Sequence, residues 1–286
     1  MGHGMAKNIA AKGLPLTFLQ RRSAPDAGAD LIALGAREAL SPKDVAALSD
    51  IMILCVTGSP DVESVCFGAS GISEAARAGM MVVDTSTAEP TSTALLRERF
   101  ARLGVEFVDA PLARTPVEAE LGKLNCMVGA TPEAFARLEP VLQTYCENIF
   151  HVGPPGAGHK VKLMNNFIAQ AICVATAEAF AASVKSGVDP KQLVRVVSAG
   201  GVNSGLFQAI AKTLDGDMQG IKFQLDNARK DLRYYTHFTE SMPLASWMGE
   251  AVHQSLVQAC ALGLGDGMLA GLVTAQERVN GIKITP

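Results

Sequence analysis

Lys162, Asn165 and Asn166 stand at i, i+3 and i+4, a spacing that puts all three on one face of a helix. An ammonium can give a proton to an oxygen and take it back, and a carboxamide can hold the same oxygen by a hydrogen bond. A Pro-Pro-Gly turn and the run Gly156-Ala157-Gly158-His159-Lys160-Val161 lead into them. A long, largely apolar run follows, with Val161, Met164, Ile168, Ile172 and Ala175 at helical spacing and Phe167, Ala171 and Val174 filling most of the remaining circumference. This pattern predicts one long buried helix. An ammonium and two amides in its first turns are costly unless they are partnered or used. The use they suit is proton transfer to a substrate oxygen, with Lys162 as the acid and base. The competing reading is the wet end of a long helix, where most lysines are solvated.

Several strands must bring a ligand to that helix. Apolar runs at 14–19, 51–56, 80–84, 105–108, 124–128 and 148–152 read as strands, separated by helical patterns at 60–66, 90–103 and 131–145. A further helix over 2–12 stops at Gly13. Such alternation predicts an α/β domain with a largely parallel, Rossmann-type sheet. After Pro155 the strand signals end. Asp189-Pro190 restarts a helix, and helical patterns run on through 206–214, 223–238, 244–262 and 266–280. The expected division is an α/β domain over 1–154 and an all-helical domain over 155–286. The long helix joins them, about 28 residues and roughly 40 Å at ~1.5 Å per residue.

Composition narrows the class. A net charge of −3 gives no reason to expect nucleic acid or an anionic membrane as a partner. No uncharged run reaches 18 residues, which argues against a membrane span. The six cysteines (55, 66, 126, 146, 173 and 260) form no CxxC pair, and the five histidines (3, 151, 159, 237 and 253) have no ligand spacing. They read as reduced core thiols in a cytoplasmic protein that needs no metal.

Gly-x-Gly-x-x-x-Lys-x-x-Asn-Asn over 156–166, Asp109-Ala110-Pro111 and Lys230-Asp231-Leu232 together resemble the β-hydroxyacid dehydrogenases, and the resemblance runs through most of the chain. That family includes 3-hydroxyisobutyrate dehydrogenase, tartronate semialdehyde reductase, glyoxylate and succinic semialdehyde reductase, and sulfolactaldehyde reductase. Its helical half is of the 6-phosphogluconate dehydrogenase-like type. The resemblance implies that the domain over 1–154 binds the dinucleotide and that the domain over 155–286 serves substrate binding and dimerisation. The resemblance implies an NAD(P)-dependent oxidoreductase that moves hydride between a nicotinamide and a small anionic 3-hydroxy acid or semialdehyde. Lys162 and Asn166 are then the catalytic residues, and Asn165 fixes the helix entry. A sulfolactaldehyde-type reductase, an imine reductase and an inactive nucleotide-binding scaffold are the alternatives; the lysine at 162 argues against the imine reductase.

The dinucleotide fingerprint is incomplete. Met1-Gly2-His3-Gly4-Met5-Ala6-Lys7-Asn8 matches its second half, with Gly2 as the third glycine. The first strand and two glycines have no counterpart, so two strand edges should lie open and cofactor should bind poorly. At the end of the second strand, Arg21, Arg22 and Ser23 stand where an NAD enzyme would place an acid. They suit a 2′-phosphate, hence NADP over NAD. By resemblance Val56, Thr57 and Gly58 bear on the adenosine and ribose, Ser86 and Thr87 lie near the nicotinamide, and Lys230 with Asp231 reaches the cofactor. Ala113, Arg114 and Thr115 replace the family's Ser-Gly-Gly, and Arg114 can grip an anionic head. Asn203 and Ser204 close over the substrate. The apolar helical faces imply a dimer or tetramer.

Overall fold

Through the first half of the chain short apolar strands are followed by a cap and a proline, and each such pair starts a helix. The computed structural model describes residues 1–20 and 28–286, and these divide into two units, Met1–Lys162 and Leu163–Pro286. The first contains α1 (Gly2–Ala11), β1 (Thr17–Leu19), α2 (Ala29–Ala33), β2 (Arg37–Ala39), α3 (Pro42–Ala47), β3 (Ile51–Leu54), α4 (Ser59–Phe67), β4 (Met81–Asp84), α5 (Pro90–Ala101), β5 (Glu106–Asp109), β6 (Leu112–Ala113), α6 (Pro116–Glu120), β7 (Leu124–Gly129), α7 (Pro132–Leu142) and β8 (Cys146–Gly153). Ser41 and Thr131 cap α3 and α7 by accepting from the amides of Asp44 and Ala134. Proline just inside these helix starts loses no helical hydrogen bond.

β3, β4 and β5 are parallel and in register, so Leu54, Asp84 and Asp109 end side by side. The loops that leave them therefore share one edge of the sheet. β7 meets β5 through the antiparallel pair Gly129 and Asp109, pairs antiparallel with β6 and runs parallel to β8. Val83, Val108, Leu124, Val128, Leu138 and Tyr145 are packed in the core that this sheet makes with its helices. β1 and β2 form a separate parallel pair. Among the described residues β1 and β3 each keep one unpaired edge. Five strands or helices absent from the sequence reading, α2, β2, α3, β6 and α6, have 5, 3, 6, 2 and 5 residues, too few to give a periodic signal.

The second unit is helical: most of α8 (Ala157–Lys185), then α9 (Pro190–Ser198), α10 (Gly205–Ala211), α11 (Leu225–Glu240), α12 (Trp247–Ala259) and α13 (Gly271–Asn280). Its core gathers Leu163, Cys173, Ala177 and Phe180 of α8 around Ile210, Leu225, Leu232, Leu256 and Val273. Phe167 stacks on Tyr235 with ring centroids 4.4 Å apart. Burial all round α8 is not what the structure has. Met164 and Ile168 are 42% and 59% exposed, because the core-facing stripe runs through Leu163, Asn166, Gln170, Cys173 and Ala177 instead. By length and composition alone α8 would also serve to cross a membrane, but packing of that stripe already accounts for its apolar character.

Candidate functional site

The first turn of α8 is held by Asp109, at the end of β5, and by Thr93 of α5. Gly156 adopts φ +94°, a left-handed turn that glycine takes without strain. The carboxylate of Asp109 then caps the helix from across the sheet: Oδ1 accepts from Gly156 N at 2.6 Å and Oδ2 from His159 N at 2.9 Å. A side chain at Gly158 would lie 2.5 Å from Met127 O and 2.6 Å from Asp109 O. The second glycine of the motif is therefore there for close backbone approach. The His159 ring is fully buried, with Nδ1 2.7 Å from Thr93 Oγ1 and Nε2 3.7 Å from Asp84 Oδ2. Burial pushes the Asp109 carboxyl up, and the nearby His159 and the two amides pull it back.

Lys162 follows one turn later and is half-buried. Asn166 comes a turn after that and is buried. Its Nδ2 donates to Asp231 Oδ2 at 2.6 Å, and its Oδ1 accepts from Asn165 Nδ2 at 3.3 Å. A carboxylate accepts only, so Asp231 fixes which way the Asn166 amide points. Asn165 itself is exposed. Adjacent helix residues do not normally face each other, which suggests separate roles for Lys230 and Asp231. Yet the flexible Lys230 stem folds back to place Nζ 3.0 Å from Asp231 Oδ1. The buried carboxylate thus has both a counter-ion and an amide.

The loops after β3 and β4 are tied together. Ser86 Oγ accepts from Val56 N at 3.0 Å, Asp84 Oδ1 accepts from Ser86 N at 2.9 Å, and Thr85 Oγ1 donates to Leu54 O at 2.5 Å. Thr57 is exposed, Thr87 half-buried and Gly58 buried as the N-cap of α4. Neither Gly58 nor Met1, the N-cap of α1, makes a side-chain cap bond. Asp61 N, in the first turn of α4, donates back to Gly58 O at 3.0 Å. Gly2 opens α1 beside Cys55: a Cβ there would touch Cys55 Cβ at 3.5 Å. Arg21, Arg22 and Ser23 lie outside the described residues.

The segment after β5 is more occupied than its sequence suggests. Arg114 has φ +79°, and its Nη1 lies 2.5 Å from Glu147 Oε2 and 2.6 Å from Lys123 O. Glu118, its sequence neighbour at i+4, instead closes a capping box with Thr115. The Thr115-x-x-Glu118 signature of that box is readable in the sequence. Ala113 ends the short strand β6. Ser204 caps α10 by accepting from Phe207 N at 3.1 Å, and Asn203 Oδ1 accepts from Gln208 Nε2 at 2.8 Å. All six cysteines are unpaired thiols. Burial raises the Cys66 and Cys173 thiols, the latter to about 12, so neither supplies a thiolate nucleophile. The buried set Asp84, Thr93, Asp109 and His159 had no signal in spacing, because its members lie on four separate elements.

Comparison with known proteins fits this arrangement. Residues 1–153 match the family described as the NAD binding domain of 6-phosphogluconate dehydrogenase, and residues 156–274 match that described as NAD-binding of NADP-dependent 3-hydroxyisobutyrate dehydrogenase. The chain is 30% identical to 2-(hydroxymethyl)glutarate dehydrogenase of Eubacterium barkeri, over 100% of this chain and 94% of that one. It is 29% identical to mitochondrial 3-hydroxyisobutyrate dehydrogenase of Rattus norvegicus, over 92% and 80%. The solved structure of 3-hydroxyisobutyrate dehydrogenase from Salmonella typhimurium superposes with a TM-score of 0.82 at 25% identity, over 96% and 95% of the two chains. On these matches the chain belongs to the β-hydroxyacid dehydrogenase family and is an NAD(P)-dependent oxidoreductase acting on CH–OH groups.

Proposed function

We propose that the chain interconverts a small 3-hydroxy acid and its semialdehyde with NADP as preferred cofactor, Lys162 moving the proton. The observation that carries this reading is the half-buried Lys162 one turn before Asn166, whose amide is oriented by the buried Asp231. The cofactor supplies or accepts the hydride when bound. Lys162 protonates the developing alkoxide oxygen, and in the oxidative direction removes that proton. Asn166 holds the same oxygen, and Asn165 supports the Asn166 amide. Gly2, Val56, Thr57, Gly58, Ser86 and Thr87 bear on the cofactor, with Lys230 and Asp231 from the helical unit. Arg21, Arg22 and Ser23 favour a 2′-phosphate because a guanidinium fork pairs with it.

Ala113, Arg114 and Thr115 hold the anionic end of the substrate, and Asn203 and Ser204 are the substrate-binding residues of the helical unit. Arg114 would exchange Glu147 for the substrate anion; an ion pair with a half-exposed partner is worth only about 0–1 kcal/mol, so exchange is cheap. The names of the Eubacterium and rat relatives specify 2-(hydroxymethyl)glutarate and 3-hydroxyisobutyrate; in both the alcohol carbon is attached to the carbon bearing a carboxylate. Residues 155–286 form the substrate and dimerisation domain in this reading. Trp247, Val196 and Ile168, exposed by 84%, 72% and 59%, would be covered in a dimer or tetramer. Six unpaired thiols suit the cytoplasm. A screen of 3-hydroxyisobutyrate, glycerate, sulfolactate and the matching semialdehydes with both cofactors tests the reading. Turnover of a carboxylate substrate with NADP ahead of NAD is expected; no turnover with either cofactor contradicts it.

A further inference from the structure

Thr93 Oγ1 lies 3.0 Å from Glu89 O and 2.7 Å from His159 Nδ1. A hydroxyl has one proton: given to Glu89 O, it leaves Nδ1 as the donor, and given to Nδ1, it leaves the hydrogen of a neutral ring on Nε2. In the second case Nε2–H faces Asp84 Oδ2, 3.7 Å away; in the first a neutral ring would turn the lone pair of Nε2 toward that oxygen. Among the described residues neither atom has a hydrogen-bond partner, and both residues are fully buried. Two facing lone pairs shut off from water repel, so this gap holds one proton, on Nε2 or on Oδ2. The other oxygen of Asp84 accepts from Ser86 N. The backbone of His159 is already fixed by Asp109. His159 therefore ties two things together: the loop 84–87 at the sheet edge, and the helical turn from which Lys162 projects three residues later.

We infer that His159 is a positioning residue for proton transfer, its buried link to Asp84 and Thr93 setting the orientation of Lys162 relative to the loop 84–87. This rests on the reading of Lys162 as the proton donor. Every member of the link lies in the unit Met1–Lys162. Gly158 and Gly129 have no room for a Cβ, so the turn cannot slide to compensate for a lost ring.

The test is a double-mutant cycle on kcat, using the compound turned over best in the screen above. Four proteins are compared: wild type, His159→Leu, Lys162→Ala and the double variant. His159→Leu is expected to lower kcat about tenfold or more with KM and cofactor affinity within about threefold, and His159→Gln to recover most of the loss. In the Lys162→Ala background the His159→Leu change should alter kcat by less than about twofold, because its effect passes through the missing amine. Thr93→Val, which removes the hydroxyl partner of Nδ1 at constant size, should show the same pattern with a smaller drop and serves if His159→Leu does not fold. An equal fold loss in both backgrounds, or wild-type kcat in His159→Leu, overturns the inference alone. Wild-type kcat in Lys162→Ala overturns the lysine reading and this inference with it.

Discussion

Asn166 is buried with its amide nitrogen 2.6 Å from a carboxylate that is itself 2% exposed. Truncating that carboxylate leaves a buried donor without its acceptor, which costs about 1–3 kcal/mol. Asp231→Ala should therefore lower the free energy of unfolding by that amount in a denaturant titration. It should also lower kcat/KM, since the Asn166 amide would no longer be oriented. A second residue-scale prediction concerns His3, whose Nδ1 lies 2.8 Å from Glu120 and Nε2 3.0 Å from Asp30. Both nitrogens face carboxylates, so both must donate, and those two hydrogen bonds raise the His3 pKa above its ordinary 6.5. Its contribution to stability is complete below that value and disappears as pH rises through the raised one. The bonds from His3 lower Asp30 and Glu120 below 3.8 and 4.5, so their contributions hold above those values and fade as pH falls through the lowered ones. The cluster thus contributes most between about pH 4.5 and 6.5. The Tm lost in His3→Ala should be larger at pH 6 than at pH 9; an equal loss at both would contradict the assignment.

At the scale of elements, the first turn of α8 is the rigid one. Gly158→Ala would push a methyl against Met127 O and Asp109 O at about 2.5 Å. Overpacking of this kind costs about 1–3 kcal/mol, and the change should lower Tm and kcat together. Thr115→Ala removes the α6 cap and should cost about 1 kcal/mol, read from the same denaturant titration. Much of the element plan was legible. Apolar runs ending at Asp84 and Asp109 located β4 and β5, and Thr131-Pro132 and Asp189-Pro190 marked helix starts because cap and proline act locally. Which face of α8 is buried was not legible, because Leu163, Met164, Phe167 and Ile168 offer two apolar stripes and only tertiary packing chooses the first. The buried link through His159 was equally hidden, since its partners lie 66 and 75 positions away along the sequence and meet only when strand ends align.

At the scale of the whole molecule, an α/β unit with its loops on one edge is followed by a helical unit, and a single helix carries the lysine at the end of one and the asparagine at the start of the other. Asn166 and Asp231 were legible as members of two separate motifs, but the hydrogen bond between them was not, because they lie 65 positions apart on different helices. Nor was the use of Glu147 by Arg114, because ion pairing across β6 and β8 follows from topology. Exposed Trp247 and Val196 predict a mass by analytical ultracentrifugation above that of one 30.0 kDa chain. The proposed activity depends on an amine that moves a proton next to a bound nicotinamide. The most direct measurement is kcat of Lys162→Ala against wild type at saturating cofactor, with cofactor affinity followed separately by titration. A loss of about a hundredfold or more with affinity unchanged is predicted; kcat within a few-fold of wild type would contradict the account.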